Sequence, residues 1–213
     1  MENSEILKHV DHTLLKAVST WDEIKLICED ALKYHTASVC IPASFVKRAH
    51  ETYSALNICT VIGFPLGYST TATKLFETKD ALNNGASEID MVVNLGDVKD
   101  GHFDLVTEEI RTLKEACGNK ILKVIIETCY LTEEEKIKLC KCVTDGGANY
   151  IKTSTGFGSD GAKVEDIVLF SKHIGPNVKM KAAGGIRTRE DMEAMLNAGA
   201  DRLGCSAAVK VLG

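Results

Sequence analysis

Short runs rich in Val and Ile recur along the chain, and each is followed by a stretch whose apolar residues repeat every three to four positions. The runs are Ala37–Ile41, Ile58–Phe64, Glu88–Asn94, Ile121–Glu127, Asn149–Thr153, Val178–Ala182 and Arg202–Cys205, with a weaker one at His9–Thr13. Near-continuous β-branched runs of this length read as strands buried on both faces. The stretches between them read as amphipathic helices with marked starts. Thr20 to Glu23 has capping-box spacing ahead of Ile24, Ile27, Ala31 and Leu32, which share one face. Thr132 to Glu135 repeats the device ahead of Ile137, Cys140 and Val143, and Thr188 to Asp191 resembles it ahead of Met192 and Met195. The ends repeat too: "NNGASEI", "DGGANYI" and "NAGADRL" each put glycine where a helix C-terminus wants a left-handed residue, then enter a strand.

Eight strands alternating with helices allow a doubly wound sheet or a closed barrel. A doubly wound sheet normally carries Gly-x-Gly-x-x-Gly after its first strand, and this chain has none. Its glycines and polar residues cluster late and at strand ends, as in a barrel. The expected fold is α/β, a single (β/α)8 TIM barrel domain over residues 1–213.

Alternation along the strands then carries charge inward. If Lys152 faces the interior on the sixth strand, Tyr150 and Ser154 share its face. The same choice on the fourth strand groups Asp90, Val92 and Asn94 against Ile89, Met91 and Val93. On the fifth it groups Lys123, Ile125 and Glu127, and on the seventh Lys179, Lys181 and Ala183. A single lysine near a strand end ordinarily snorkels to water. Three on neighbouring strands with one parity, beside an inward carboxylate, point to use. Desolvation and adjacent positive charge both favour a neutral amine. A neutral amine beside a carboxylate can form a Schiff base with an aldehyde or ketone. Lys152 is the expected nucleophile.

The loops after the last two strands indicate what else a substrate carries. "AAGGIRT" and "GCSAA" hold Gly184, Gly185, Gly204 and Ser206, whose backbone N–H groups and hydroxyl can converge on an anion; Gly156 can add to them. A phosphate is the expected anion.

Charge and composition narrow the partners. A formal net charge of −5 argues against nucleic acid as a general partner. No apolar run approaches the roughly 18 residues a bilayer span needs. The N-terminus "MENSEILKHVDH" has no apolar signal core. The expected location is the cytoplasm, away from membranes. The 8 cysteines, Cys40 and Cys59 included, are then expected to be reduced and to pack as small hydrophobes. Cys140 and Cys142 form C-x-C, with no second pair at zinc spacing, so no metal is expected.

At these residues the sequence resembles the deoxyribose-phosphate aldolases, a class I aldolase family. The likeness runs through "VDHTLLK", "ASVCIP", "VIGFPLG", "EIDMVVNLG", "LKVIIET", "YIKTSTGF", "KAAGGIRT" and "LGCSAA". It implies reversible cleavage of 2-deoxy-D-ribose 5-phosphate to acetaldehyde and D-glyceraldehyde 3-phosphate in deoxyribonucleoside catabolism, with no cofactor. It places the Schiff-base lysine on Lys152, a second, pKa-lowering lysine on Lys181 and the acid/base carboxylate on Asp90. Lys123 matches a lysine that positions substrate and water, and the phosphate loops fall on Gly184, Gly185, Gly204 and Ser206. The likeness also implies a homo-oligomer. Two departures stand out: "GCS" where Gly-Ala-Ser is usual, and an end at Gly213 where many relatives carry a polar tail, in some ending in tyrosine. The rivals are another Schiff-base barrel, such as a transaldolase or fructose-phosphate aldolase, and a sugar-phosphate-binding barrel without chemistry.

Overall fold

The computed structural model describes residues 1–213. Eight strands form one closed barrel in sequence order, every neighbouring pair parallel. They are β1 Val10–Thr13, β2 Ser38–Cys40, β3 Ile58–Ile62, β4 Glu88–Val92, β5 Ile121–Ile125, β6 Tyr150–Lys152, β7 Lys179–Ala183 and β8 Arg202–Cys205. A short α1, Asn3–Leu7, precedes them. Around them lie α2 Trp21–Tyr34, α3 Ala43–Thr52, α4 Thr71–Asn83, α5 Leu95–Lys99 and α6 Phe103–Cys117. The ring is completed by α7 Glu133–Asp145, α8 Val164–His173, α9 Arg189–Asn197 and α10 Ala208–Leu212. No helix is long and apolar enough to cross a membrane.

The expected strand phases hold. Ile89, Met91 and Val93, Val124 and Ile126, Ile151, and Met180 and Ala182 all join the apolar layer between strands and helices. Asp90, Lys123, Lys152 and Lys181 take the other face. Several strands are shorter than their β-branched runs, because the chain splays into loops at the barrel rim. Even so, pairing persists past the end of β5, where Ile126 N–H donates to the Lys152 carbonyl at 3.0 Å.

Local signals also form as read. Capping boxes close at Thr20/Glu23, Thr132/Glu135 and Thr188/Asp191, each contributing about 1 kcal/mol. Gly85, Gly147 and Gly199 take φ of 106°, 74° and 108° at the three repeated loops, where any other residue would be strained. One expectation fails: Leu32 is exposed, and the buried stripe of α2 is Ile24, Cys28 and Ala31. At about 100° per residue, Leu32 stands roughly 80° around from Ile24, off the edge of that stripe.

Outside the barrel interior, α4 buries a lysine. Lys74 reaches past Gly63 to donate to the Val92 carbonyl at 2.8 Å and to Glu109 Oε2, on α6, at 2.9 Å. Gly63, at φ 60°, has no room for a side chain: a Cβ there would stand 2.8 Å from Lys74 Cε. Burial pushes the Lys74 amine down and the Glu109 carboxyl up, so the pair is a costly one to strand. Lys74→Ala is expected to lower the unfolding free energy by about 3–5 kcal/mol, because it leaves Glu109 buried and unpaired. Lys74→Met combined with Glu109→Leu should cost much less. Urea denaturation of the three proteins checks this, and a single variant within about 1 kcal/mol of wild type would show that the pair behaves as a surface one.

Candidate active site

Because four neighbouring strands turn charged residues inward, the barrel interior holds an ionic network. Asp90 is its hub. Its Oδ2 accepts from Lys152 Nζ at 2.8 Å and Lys181 Nζ at 2.7 Å, and its Oδ1 from Lys123 Nζ at 2.8 Å. Sequence reasoning missed three members. Asp11 on β1 accepts from Lys181 Nζ, from Ser38 Oγ at 2.7 Å and from Arg202 Nη1 at 2.5 Å. Glu88 pairs with Lys123 at 2.5 Å and, more loosely, with Arg202 at 3.3 Å. The signal for Glu88 was present, since it shares the parity of Asp90 on the same strand.

Four cations thus face three carboxylates, an excess of one positive charge. Burial alone would raise Asp90, but Lys123, Lys152 and Lys181 together hold it well below the usual carboxylate range. Asp11 is lowered in the same way, with burial opposed by Lys123, Lys181 and Arg202. Burial likewise works against the Lys181 and Lys123 ammonium groups, yet Asp11 and Asp90 outweigh it and raise both. Burial therefore does not neutralise these two lysines; their counterions keep them charged.

Cys40 and Cys59 are free and fully buried, as expected. Both lie outside the apolar layer. Cys59 Sγ stands 3.2 Å from Asp90 Oδ1 and 3.3 Å from Lys123 Nζ, and Cys40 is its register partner on β2. Cys59 thus touches the network directly, while Cys40 packs beside it, fully buried. Burial pushes the Cys59 thiol well up. Cys40, Cys59 and Asp90 lie close enough together to share an ion, as do Asp11, Cys59 and Glu88. Those carboxylates are already claimed by ammonium and guanidinium groups, and the surplus positive charge opposes a divalent cation there.

At the C-terminal end of the strands a cavity of about 290 Å³ opens, and of the four network cations Lys152 alone lines it. Asp90, Lys181 and Lys123 are fully buried behind it. Lys123 is therefore no part of the cavity wall, and it reaches Lys152 by way of Asp90, to which both donate. Gly156, Gly184, Gly185, Gly204 and Ser206 all line the cavity. Gly184 and Gly185 are both left-handed, with φ of 84° and 76°. A Cβ on Gly204 would stand 2.8 Å from Ala183 Cβ, and one on Gly184 would stand 3.2 Å from Gly161 Cα. Around Gly185 nothing lies closer than 3.9 Å to such an atom, which leaves room for a ligand to approach the backbone. Lys16 and Arg187 complete this end. Both bring positive charge to the glycine-rich end of the cavity.

Comparison with known proteins places these features in a family. The profile of the DeoC/LacD family aldolases matches residues 6–207. A deoxyribose-phosphate aldolase of Clostridium botulinum is 67% identical over 213 residues, covering 100% of this chain and 96% of the relative. One of Clostridioides difficile is 58% identical over 208 residues, covering 97% and 95%. A tetrameric deoxyribose phosphate aldolase from Aeropyrum pernix superposes with a TM-score of 0.89 at 28% identity, covering 99% of this chain and 91% of that one. With a charged interior, a lysine at the cavity and a family profile spanning nearly its whole length, this chain belongs to the DeoC/LacD family of aldolases.

Proposed function

We propose that the protein reversibly cleaves 2-deoxy-D-ribose 5-phosphate to acetaldehyde and D-glyceraldehyde 3-phosphate through a Schiff base on Lys152. The observation that carries this reading is that the lysine facing the cavity also touches the hub carboxylate of a network with surplus positive charge. Lys152 is the one amine of that network that a substrate in the cavity can reach. The uncharged amine adds to the sugar's aldehyde carbon, and water leaves to give an iminium. The bond between the second and third sugar carbons then breaks, its electron pair passing into the iminium to give an enamine. The hydroxyl proton on the third carbon passes by way of a water to Asp90, which lies buried behind the cavity and is held ionised. Lys181, held protonated, donates toward the enamine carbon through the same carboxylate or a water. Hydrolysis of the resulting iminium releases acetaldehyde and restores the amine. Lys16, Arg187, Gly185 and Ser206 hold the phosphate.

The name shared by its relatives, deoxyribose-phosphate aldolase, supports the substrate, and release of acetaldehyde distinguishes it from a ketose aldolase or a transaldolase. Borohydride added with acetaldehyde should leave one ethyl group on a peptide containing Lys152. An unchanged mass would favour a binding barrel without chemistry. Arg187→Ala is expected to lower kcat/KM for the phosphorylated sugar roughly tenfold, about 1.4 kcal/mol, and to leave the unphosphorylated sugar unchanged. Equal losses on both would remove Arg187 from the phosphate site. The proposal extends to an oligomer, supported by the tetramer of the Aeropyrum pernix relative, working on deoxyribonucleoside breakdown in the cytoplasm.

A further inference from the structure

Glu127, just past the end of β5, is buried to 2% exposure yet is paired with no cation. Its backbone is left-handed, φ 53° and ψ 67°, a conformation that costs a side-chain-bearing residue free energy. Both carboxylate oxygens are committed to one residue of the neighbouring loop. Oε1 accepts from the Thr155 backbone N–H at 3.0 Å, and Oε2 accepts a short hydrogen bond from the Thr155 hydroxyl. That hydroxyl in turn accepts from the Phe157 N–H at 3.0 Å. The loop closes tightly over the carboxylate: a Cβ on Gly158 would stand 3.2 Å from Glu127 Cδ and 2.8 Å from Cys129 Sγ. Thr155, Gly156 and Phe157 all line the cavity, directly after Lys152 and Ser154 on the same strand and loop. Phe157 is further braced edge-to-face by Phe64, with ring centroids 5.3 Å apart.

We propose that Glu127 is a positioning residue that sets the wall of the substrate pocket through Thr155, a step removed from Lys152. A buried, unpaired carboxylate on a strained backbone is unfavourable for folding alone, and its only hydrogen-bond partners belong to this wall. The inference rests on the aldolase reading for its substrate. Its effect falls on the part of the substrate beyond the reacting aldehyde, because the residues it fixes follow the nucleophile instead of carrying it. Acetaldehyde is too small to need that wall; the sugar phosphate needs it.

Glu127→Gly removes the carboxylate and also relieves the left-handed backbone, so loss of the side chain is not compounded by new strain. Wild type, Glu127→Gly and Glu127→Gln are compared in two measurements. The first is the rate of borohydride trapping with acetaldehyde, and the second is KM and kcat for the sugar phosphate. Glu127→Gly is expected to raise KM at least about tenfold while its trapping rate stays within about twofold of wild type. Glu127→Gln keeps an acceptor for the Thr155 N–H and should recover much of the loss. Parallel losses in trapping and KM would overturn the proposal by making Glu127 a support of Lys152 or of the fold. No change in KM would overturn it as well. Absence of trapping in the wild-type protein is a different failure, that of the aldolase reading itself.

Discussion

Lys152→Met is expected to lower kcat by at least about 10⁴-fold, roughly 5.4 kcal/mol of barrier at about 1.36 per tenfold, and to abolish borohydride labelling by acetaldehyde. Methionine is unbranched and flexible enough to fill the same channel, so the change removes the amine with little change of shape. It also leaves the network balanced. Three cations, Lys123, Lys181 and Arg202, then face three carboxylates, and Asp90 keeps two ammonium partners. The variant should therefore fold, with a melting temperature within a few degrees of wild type, about 1 kcal/mol. Borohydride separates the amine from its thiol neighbours: it reduces an imine on lysine, whereas a hemithioacetal on Cys40 or Cys59 has no C=N bond to reduce. Labelling that survives in the variant, or turnover above a tenth of wild type, would end the assignment of Lys152 as nucleophile.

How much of this was legible in the chain depends on the range of the interaction. Strand phase is local, so the inward set of Asp90, Lys123, Lys152 and Lys181 could be read from alternation alone. Capping boxes and left-handed glycines are local as well, and all three of each form. The counterions were harder. Asp11 and Arg202 lie on the short strands β1 and β8, which meet only when the barrel closes, so neither shows a partner nearby in sequence. Lys74 was not legible at all, since a lysine on an amphipathic helix reads as solvated until Glu109, 35 residues away, is placed beside it. The contacts of Cys59 with Asp90 and Lys123 were not legible, because a thiol's surroundings, not its own polarity, decide whether it packs among hydrocarbons or charges. Glu127 had the right parity, but its left-handed backbone and its bond to Thr155 arise only once two loops are fixed together.

Those missed counterions sharpen what Asp90 is expected to do, because they leave it as the one carboxylate bonded to Lys123, Lys152 and Lys181 alike. Asp90→Asn keeps the shape and removes the charge. Activity should fall by roughly 10²–10⁴-fold, the usual span for losing a positioned acid/base group. Stability should fall too, by about 3–5 kcal/mol at neutral pH, since three ammonium groups would then surround a neutral amide. The sign with pH follows from the carboxyl's depressed folded value. Its stabilisation is fully present above the unfolded value of about 3.9 and is lost as pH falls from there toward the folded value. Asparagine has no such dependence. Urea midpoints of wild type and variant should therefore differ by a constant amount from pH 7 down to about 5 and converge below about pH 4. A gap that stays constant into acid would mean that Asp90 is not held ionised by its lysines, and the proton acceptor of the cleavage step would have to be sought elsewhere in the barrel.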